Sequence, residues 1–207
     1  MGTKSMKIAA GVVGGILVVA LAVVAGRHTV GSAKKKAEAT ETTASSAPAG
    51  LVEFRDGKAG WAVSYPKAWT RLQSQNPDVV LVVSEKAPEA NSGGSILARD
   101  ITLAGPVTDA NLPAAKEITD KVVNGEGIQL LAQPAVVHQG GLPGWFYFYS
   151  FKDSTTGQEG VHSHYFLFKG STMVSFVFQA LPKDDFRGLA NLYDTVIGSF
   201  RVVPPGG

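Results

Sequence analysis

The stretch WFYFYSF, residues 145–151, restricts the fold of this chain more than any other. Successive side chains of a strand point to opposite faces, so Trp145, Tyr147, Tyr149 and Phe151 share one face while Phe146 and Phe148 occupy the other. A strand that is bulky on both sides needs cover on both sides. The remaining patterns supply that cover. VHSHYFLFKG (161–170) and TMVSFVFQA (172–180) read as two further strands separated by a hairpin-length Gly-Ser, so the three form an antiparallel meander. PKDDFRGLANLYDTVIGSF then places Phe186, Leu189, Tyr193, Val196 or Ile197, and Phe200 at steps of three and four, the mark of an amphipathic helix. Asp184 and Asp185 stand at its start, where capping and the helix dipole explain them better than acid–base chemistry.

Upstream, LVEFRDGKAGWAVSYP reads as a hairpin turning at Asp56-Gly57, a dipeptide suited to positive φ. Pro66 ends its ladder and Trp69 follows in a YPKAW corner. VVLVVSE (79–85) is a continuous apolar run typical of a strand buried on both faces, and SILARDITLA (95–104) is another strand. Residues 109–127 form a helix capped by Asp109 or Asn111, with Pro113 in its first turn and an apolar stripe of Leu112, Ala115, Ile118 and Val122. One more strand is expected over 128–138. The sum is an α+β fold: a three-layer α/β/α sandwich around a central, mainly antiparallel sheet, with one transmembrane helix before it.

That helix is IAAGVVGGILVVALAVVAG, residues 8–26, which carries no charged side chain over a length able to cross a hydrocarbon core. We read it as a signal-anchor following a short tail (1–7). The rival is a cleaved signal peptide, with Lys4 and Lys7 as its basic region. Gly11 and Gly15 form a GxxxG spacing that allows close approach of a partner helix. Residues 27–50 form a flexible linker spanning on the order of 25–30 Å, residues 51–203 the folded domain and 204–207 a tail. Arg27 and Lys34 to Lys36 would favour a cytoplasmic C-terminus by the positive-inside rule. The Thr/Ser/Ala/Pro linker at 37–50 points the other way, and the expectation is a single-pass cell-membrane protein with its domain extracytoplasmic.

Charge and composition exclude several classes. Residues 1–50 carry six basic and two acidic side chains, the rest thirteen and fifteen, so the folded part lacks the basic excess of a nucleic-acid binder. The absence of cysteine excludes disulfide frameworks and thiolate metal sites. There is no phosphate loop, nucleophile elbow or metalloprotease histidine pair, so no catalytic residue and no cofactor are expected.

FRDGKAGWAVSYPKAWTRL at the start of the domain, and the FKGSTMVSFVFQA strand pair with a helix ending YDTVIGSFRV at its close, resemble the PsbP-like family. That family includes the photosystem II extrinsic protein and actinobacterial LpqN-type lipoproteins, and the resemblance covers residues 51 to 203. It implies a non-enzymatic extracytoplasmic domain that binds other proteins or assists an envelope membrane complex. The chain departs from the lipoproteins in having no cysteine to acylate.

Two sets of residues are the candidate sites. His162 and His164 lie on one face of one strand and could share a metal if His138, Asp153 or Glu159 came near; two hydrogen-bonded histidines are the plainer reading. Trp61, Tyr65, Trp69 and Trp145, with Tyr147 and Tyr149, could bind a glycan or lipid, but their places in strands and a corner favour packing. The expected function is a protein-binding accessory or assembly subunit. The alternative is a lipid- or glycan-binding module with a pocket between sheet and helix.

Overall fold

The computed structural model describes residues 49–87 and 92–204. Residues 8–26, with Gly11 and Gly15, lie outside them. Among the described residues no helix is long and apolar enough to cross a membrane.

The described chain is mostly sheet with two helices, an α+β fold consistent with a sandwich. β1 (Leu51–Asp56), β2 (Trp61–Pro66) and β10 (Arg201–Val202) make a three-stranded sheet in the order β1-β2-β10. The larger sheet comprises β3 (Thr70–Arg71), β4 (Val79–Ser84), β5 (Gly93–Val107), β9 (Glu159–Leu181), β8 (Leu142–Lys152) and β6 (Gln129–Leu130) in that order, with β7 (Ala135–Gln139) also on β8. Every pairing is antiparallel. The long run β9 folds back on itself around Gly170, whose φ of 58° suits a residue without Cβ. Its first half pairs with β8 and its second with β5, while Tyr165 lies against Phe178 and His162 reaches Gln179. The two strands expected at 161–170 and 172–180 are these two halves.

α1 (Leu112–Val123) and α2 (Phe186–Gly198) pack on different faces of the large sheet. Leu189, Tyr193, Val196 and Ile197 of α2 join Val174, Phe176 and Phe178 of β9, Ile96 and Ala98 of β5, and Trp61 and Val63 of β2. On the other face, Leu112, Ala115 and Val123 of α1 meet Trp145, Tyr147, Phe166 and Phe168. Trp145 Nε1 donates to the Leu112 carbonyl at 3.1 Å, and the Tyr147 and Thr119 hydroxyls are 2.7 Å apart. Both faces of WFYFYSF are therefore used, although Phe146 and Phe148 are only half-buried, against Tyr165 and Phe186.

Several local expectations are corrected. The β1–β2 hairpin has its left-handed residue at Gly60 (φ 73°), not at Asp56-Gly57; Asp56 Oδ1 accepts from Ala59 N instead, closing a four-residue loop. The strand expected over 128–138 divides into β6 and β7, since Pro134 has no N–H for the ladder. α1 is shorter than 109–127: residues 109–111 form a separate 3₁₀ turn, and neither Asp109 nor Asn111 caps the helix through its side chain. Its buried stripe shifts to Leu112, Ala115, Thr119 and Val123, because Thr119 satisfies its hydroxyl on Tyr147. Asp184 and Asp185 lie in the 3₁₀ turn before α2 and make no capping side-chain bond. The run at 79–85 buries its large apolar residues on one face only, through Leu81 and Val83; Val82, on the other face, is half-buried and faces a cavity.

Candidate functional site: a cavity beside the first helix

The cavity follows from a mismatch of lengths. Twelve helical residues rise about 18 Å, whereas the eleven residues of β8 extend about 36 Å. α1 therefore covers Trp145 and Tyr147 but ends before Tyr149 and Phe151. What remains is a cavity of about 120 Å³, walled by Val82, Leu97, Ile101 and Val177 of the sheet and bounded by Val122 in the last turn of α1 and Ile128 just before β6.

One wall of this cavity is a continuous chain of hydrogen bonds. Register places Tyr149 beside His162, and Tyr147 beside His164. The Tyr149 hydroxyl lies 3.2 Å from His162 Nδ1 and 3.1 Å from His164 Nδ1. His162 Nε2 is 2.9 Å from Gln179 Oε1, and His164 Nε2 is 2.7 Å from Ser175 Oγ. His162 stacks on Phe151 and His164 on Phe166, with ring centres 4.1 and 3.9 Å apart. Burial holds both imidazoles neutral: His162 is pushed down to about 4, and His164 well below its ordinary value, the latter helped by the positive field of Arg99.

Neutrality orders the chain. With Gln179 Oε1 accepting, His162 Nε2–H donates to it, leaving Nδ1 to accept from Tyr149 O–H. The Tyr149 oxygen then accepts from His164 Nδ1–H, and His164 Nε2 accepts from Ser175 O–H. Turning the Gln179 amide over reverses every one of these bonds together.

All four ring nitrogens of the candidate pair are thus engaged, which leaves none to ligate a metal. The expected third ligands are elsewhere or occupied. His138 pairs with Asp109 at 2.6 Å and Glu159 with Lys183 at 2.6 Å. Asp153, although it lines the cavity, accepts from Thr155 N, Thr156 N and Thr156 Oγ1. No group of three metal-binding side chains occurs among the described residues.

The aromatic candidates are distributed through the fold rather than gathered at a surface. Trp61 is fully buried against Phe54, Phe176 and Phe200. Trp145 is buried under α1, with Lys116 Nζ 5.7 Å from its ring centre. Tyr65 and Trp69 are half-buried, Trp69 standing edge-on to Tyr193. Residues that sequence reasoning did not single out complete the cavity wall: Ser175, Gln179 and Arg99. Counting back from the turn at Gly170 sets Gln179 opposite His162, and this register is the signal that would have found it.

A second polar feature lies on the opposite face. Trp61 Nε1 donates to Asp100 Oδ1 at 3.0 Å. Burial, with the nearby Asp56 carboxylate adding to it, pushes Asp100 up to about 7 against the pull of that hydrogen bond. The folded state consequently binds this proton more tightly than the unfolded state, and stability falls as pH rises from about 4 to about 7 and stays lower above. The two histidines have the opposite sign: the unfolded state binds their protons more tightly, so they cost stability as pH falls from about 6.5 towards 4. Asp100→Asn keeps the acceptor for Trp61 and removes the carboxylate. Thermal melts of this variant should show a gain over wild type at pH 8 that vanishes near pH 4, and a steeper loss on acidification below pH 6.5.

No family model and no curated protein matches the chain, but its fold has solved counterparts. The solution structure of cyanobacterial PsbP (CyanoP) from Synechocystis sp. PCC 6803 superposes with a TM-score of 0.52 at 18% identity, covering 78% of this chain and 97% of that one. LpqN, described as involved in cell envelope biogenesis of Mycobacterium tuberculosis, gives 0.52 at 16% identity, covering 74% and 92%. A Bacteroides thetaiotaomicron protein gives 0.52 at 13%, with 75% of this chain against 49% of that chain. The fold is PsbP-like, as the resemblance of the opening and closing segments implied.

Proposed function

We propose that this domain is a non-catalytic, extracytoplasmic binding module, tethered to the cell membrane by residues 8–26, that takes a small, largely apolar molecule into the cavity between sheet and α1. The observation that carries this reading is the cavity itself: an apolar recess with one polar wall, of the kind that orients a small ligand. The likeness to LpqN supports an envelope setting. The pairing of Ser175 with His164 has the spacing of a nucleophile and base, but Ser175 lies mid-strand between β5 and the other half of β9. Backbone N–H groups there serve the sheet ladder, and an acyl-transfer site needs free donors for its oxyanion.

Native mass spectrometry of the full chain, released gently from its own membranes, tests the reading. Wild type should carry a small bound molecule, and Val177→Phe, which fills the cavity, should carry none. Equal loading of both would refute it.

A second reading, an accessory subunit of an envelope membrane complex, draws on the exposed Leu130, Leu131 and Val136 at the β6–β7 edge of the sheet. A stable integral-membrane partner that co-purifies with wild type and is lost from Val136→Glu at unchanged melting temperature would support it. Retention of the partner by that variant would count against this surface.

A further inference from the structure

We propose that the occupant of the cavity is a small organic carboxylate, its apolar body about the size of a benzene ring between Val82, Leu97, Ile128 and Val177, and its carboxylate on Arg99 and Ser175. This rests on the reading of the cavity as a ligand site and names what that site selects.

Arg99 is the first observation. Its Nε is the single buried side-chain nitrogen or oxygen among the described residues that has no hydrogen-bond partner. Its ion pair is long, 3.8 Å from Nη2 to Asp78 Oδ2, and the Asp78 side chain is 56% exposed. A buried N–H donor left unpaired carries a free-energy penalty that an incoming acceptor removes, and a guanidinium matches a carboxylate in shape and charge. Arg99 and Ser175 are cross-strand partners on the cavity face, so the guanidinium and the hydroxyl are neighbours.

The hydrogen-bond chain is the second observation. Its two directions differ in what Ser175 offers. When His164 Nε2–H donates to Ser175 Oγ, the Ser175 O–H is free for the ligand; Tyr149, His162 and a turned-over Gln179 follow in the same sense. A carboxylate only accepts hydrogen bonds, so it selects that direction along the whole wall. The other charged groups do not compete: Lys152 and Glu126 are exposed at the rim, and Asp153 is taken up by its own turn.

Size is the third. An engineered apolar cavity of about 150 Å³ accepts benzene; the present one is about 120 Å³, suiting a ring-sized body with the head group on the polar wall.

The test is calorimetric titration of the full chain in lipid nanodiscs with benzoate and with benzamide, its neutral isostere, referenced to empty nanodiscs. Benzoate should bind wild type more tightly than benzamide, and Val177→Phe should abolish both. Arg99→Met and, separately, Ser175→Ala should each weaken benzoate, Arg99→Met by about tenfold or more, the equivalent of one charge-assisted hydrogen bond, with benzamide changed far less. Melts of each variant confirm folding, and Ser175→Ala decides if Arg99→Met fails to fold. Equal binding of the two probes, with neither variant favouring one over the other, would overturn the carboxylate while leaving the cavity as a ligand site. Failure of both probes to bind in a manner blocked by Val177→Phe would overturn the ligand-site reading as well.

Discussion

Trp61→Ala should cost the domain about 3–5 kcal/mol, the range for truncating a large aromatic in a packed core, and much of a small domain's total stability. The residue is fully buried, and its ring packs the small sheet onto the large one. It contacts Phe54 on β1, Phe176 on β9 and Phe200 after α2 at centroid distances of 5.5, 5.2 and 6.0 Å. Truncation also removes the indole donor from Asp100, leaving a half-buried carboxyl without that partner. Urea unfolding followed by circular dichroism checks the magnitude. Trp69→Ala gives an internal comparison: Trp69 is half-buried, standing edge-on to Tyr193 and over Gly94, so its loss should be smaller. Equal losses would mean that the small sheet is not joined to the large one through Trp61.

Tyr149→Phe should be the most damaging removal of a single oxygen atom from this domain. The Tyr149 hydroxyl is the junction of the wall, serving His162 Nδ1 and His164 Nδ1 together. Phenylalanine preserves the ring's packing and deprives both nitrogens at once, and each buried group so orphaned costs about 1–3 kcal/mol. Tyr147→Phe is the control, because its hydroxyl joins Thr119 and Asp120 under α1 and touches neither imidazole. Nitrogen-15 spectra of the histidine rings should show both Nδ1 resonances displaced in Tyr149→Phe and unmoved in Tyr147→Phe. A loss of stability no larger than that of the control, with unchanged ring resonances, would mean that the chain of hydrogen bonds does not exist in solution.

What the sequence made legible was set by the range of the interactions involved. Alternation in WFYFYSF and the three-and-four spacing of Leu189, Tyr193 and Val196 report on which face is buried, and both were readable because periodicity is local. Asp-Gly is a strong hairpin signal while Gly60 carries no such context, so local pattern sets the turn three residues too early. The apolar run at 79–85 reads as buried on both faces because its sequence cannot register that α1 is too short to reach Val82. His162 and His164 stood out by their spacing of two. Their partners did not: Ser175 and Gln179 enter only through the fold-back at Gly170, and Arg99 through a cross-strand pairing with a residue 76 positions away. Such pairings depend on sheet order, which local pattern does not encode.

A binding module of this kind requires a ring-sized molecule to enter the space that α1 leaves open. Intermolecular nuclear Overhauser effects between added benzoate and the methyl groups of the full chain measure this directly. Contacts to Leu97, Ile128 and Val177, lost in Val177→Phe, are the predicted result. Contacts confined to the exposed Leu130, Leu131 and Val136, or none at all, would contradict it.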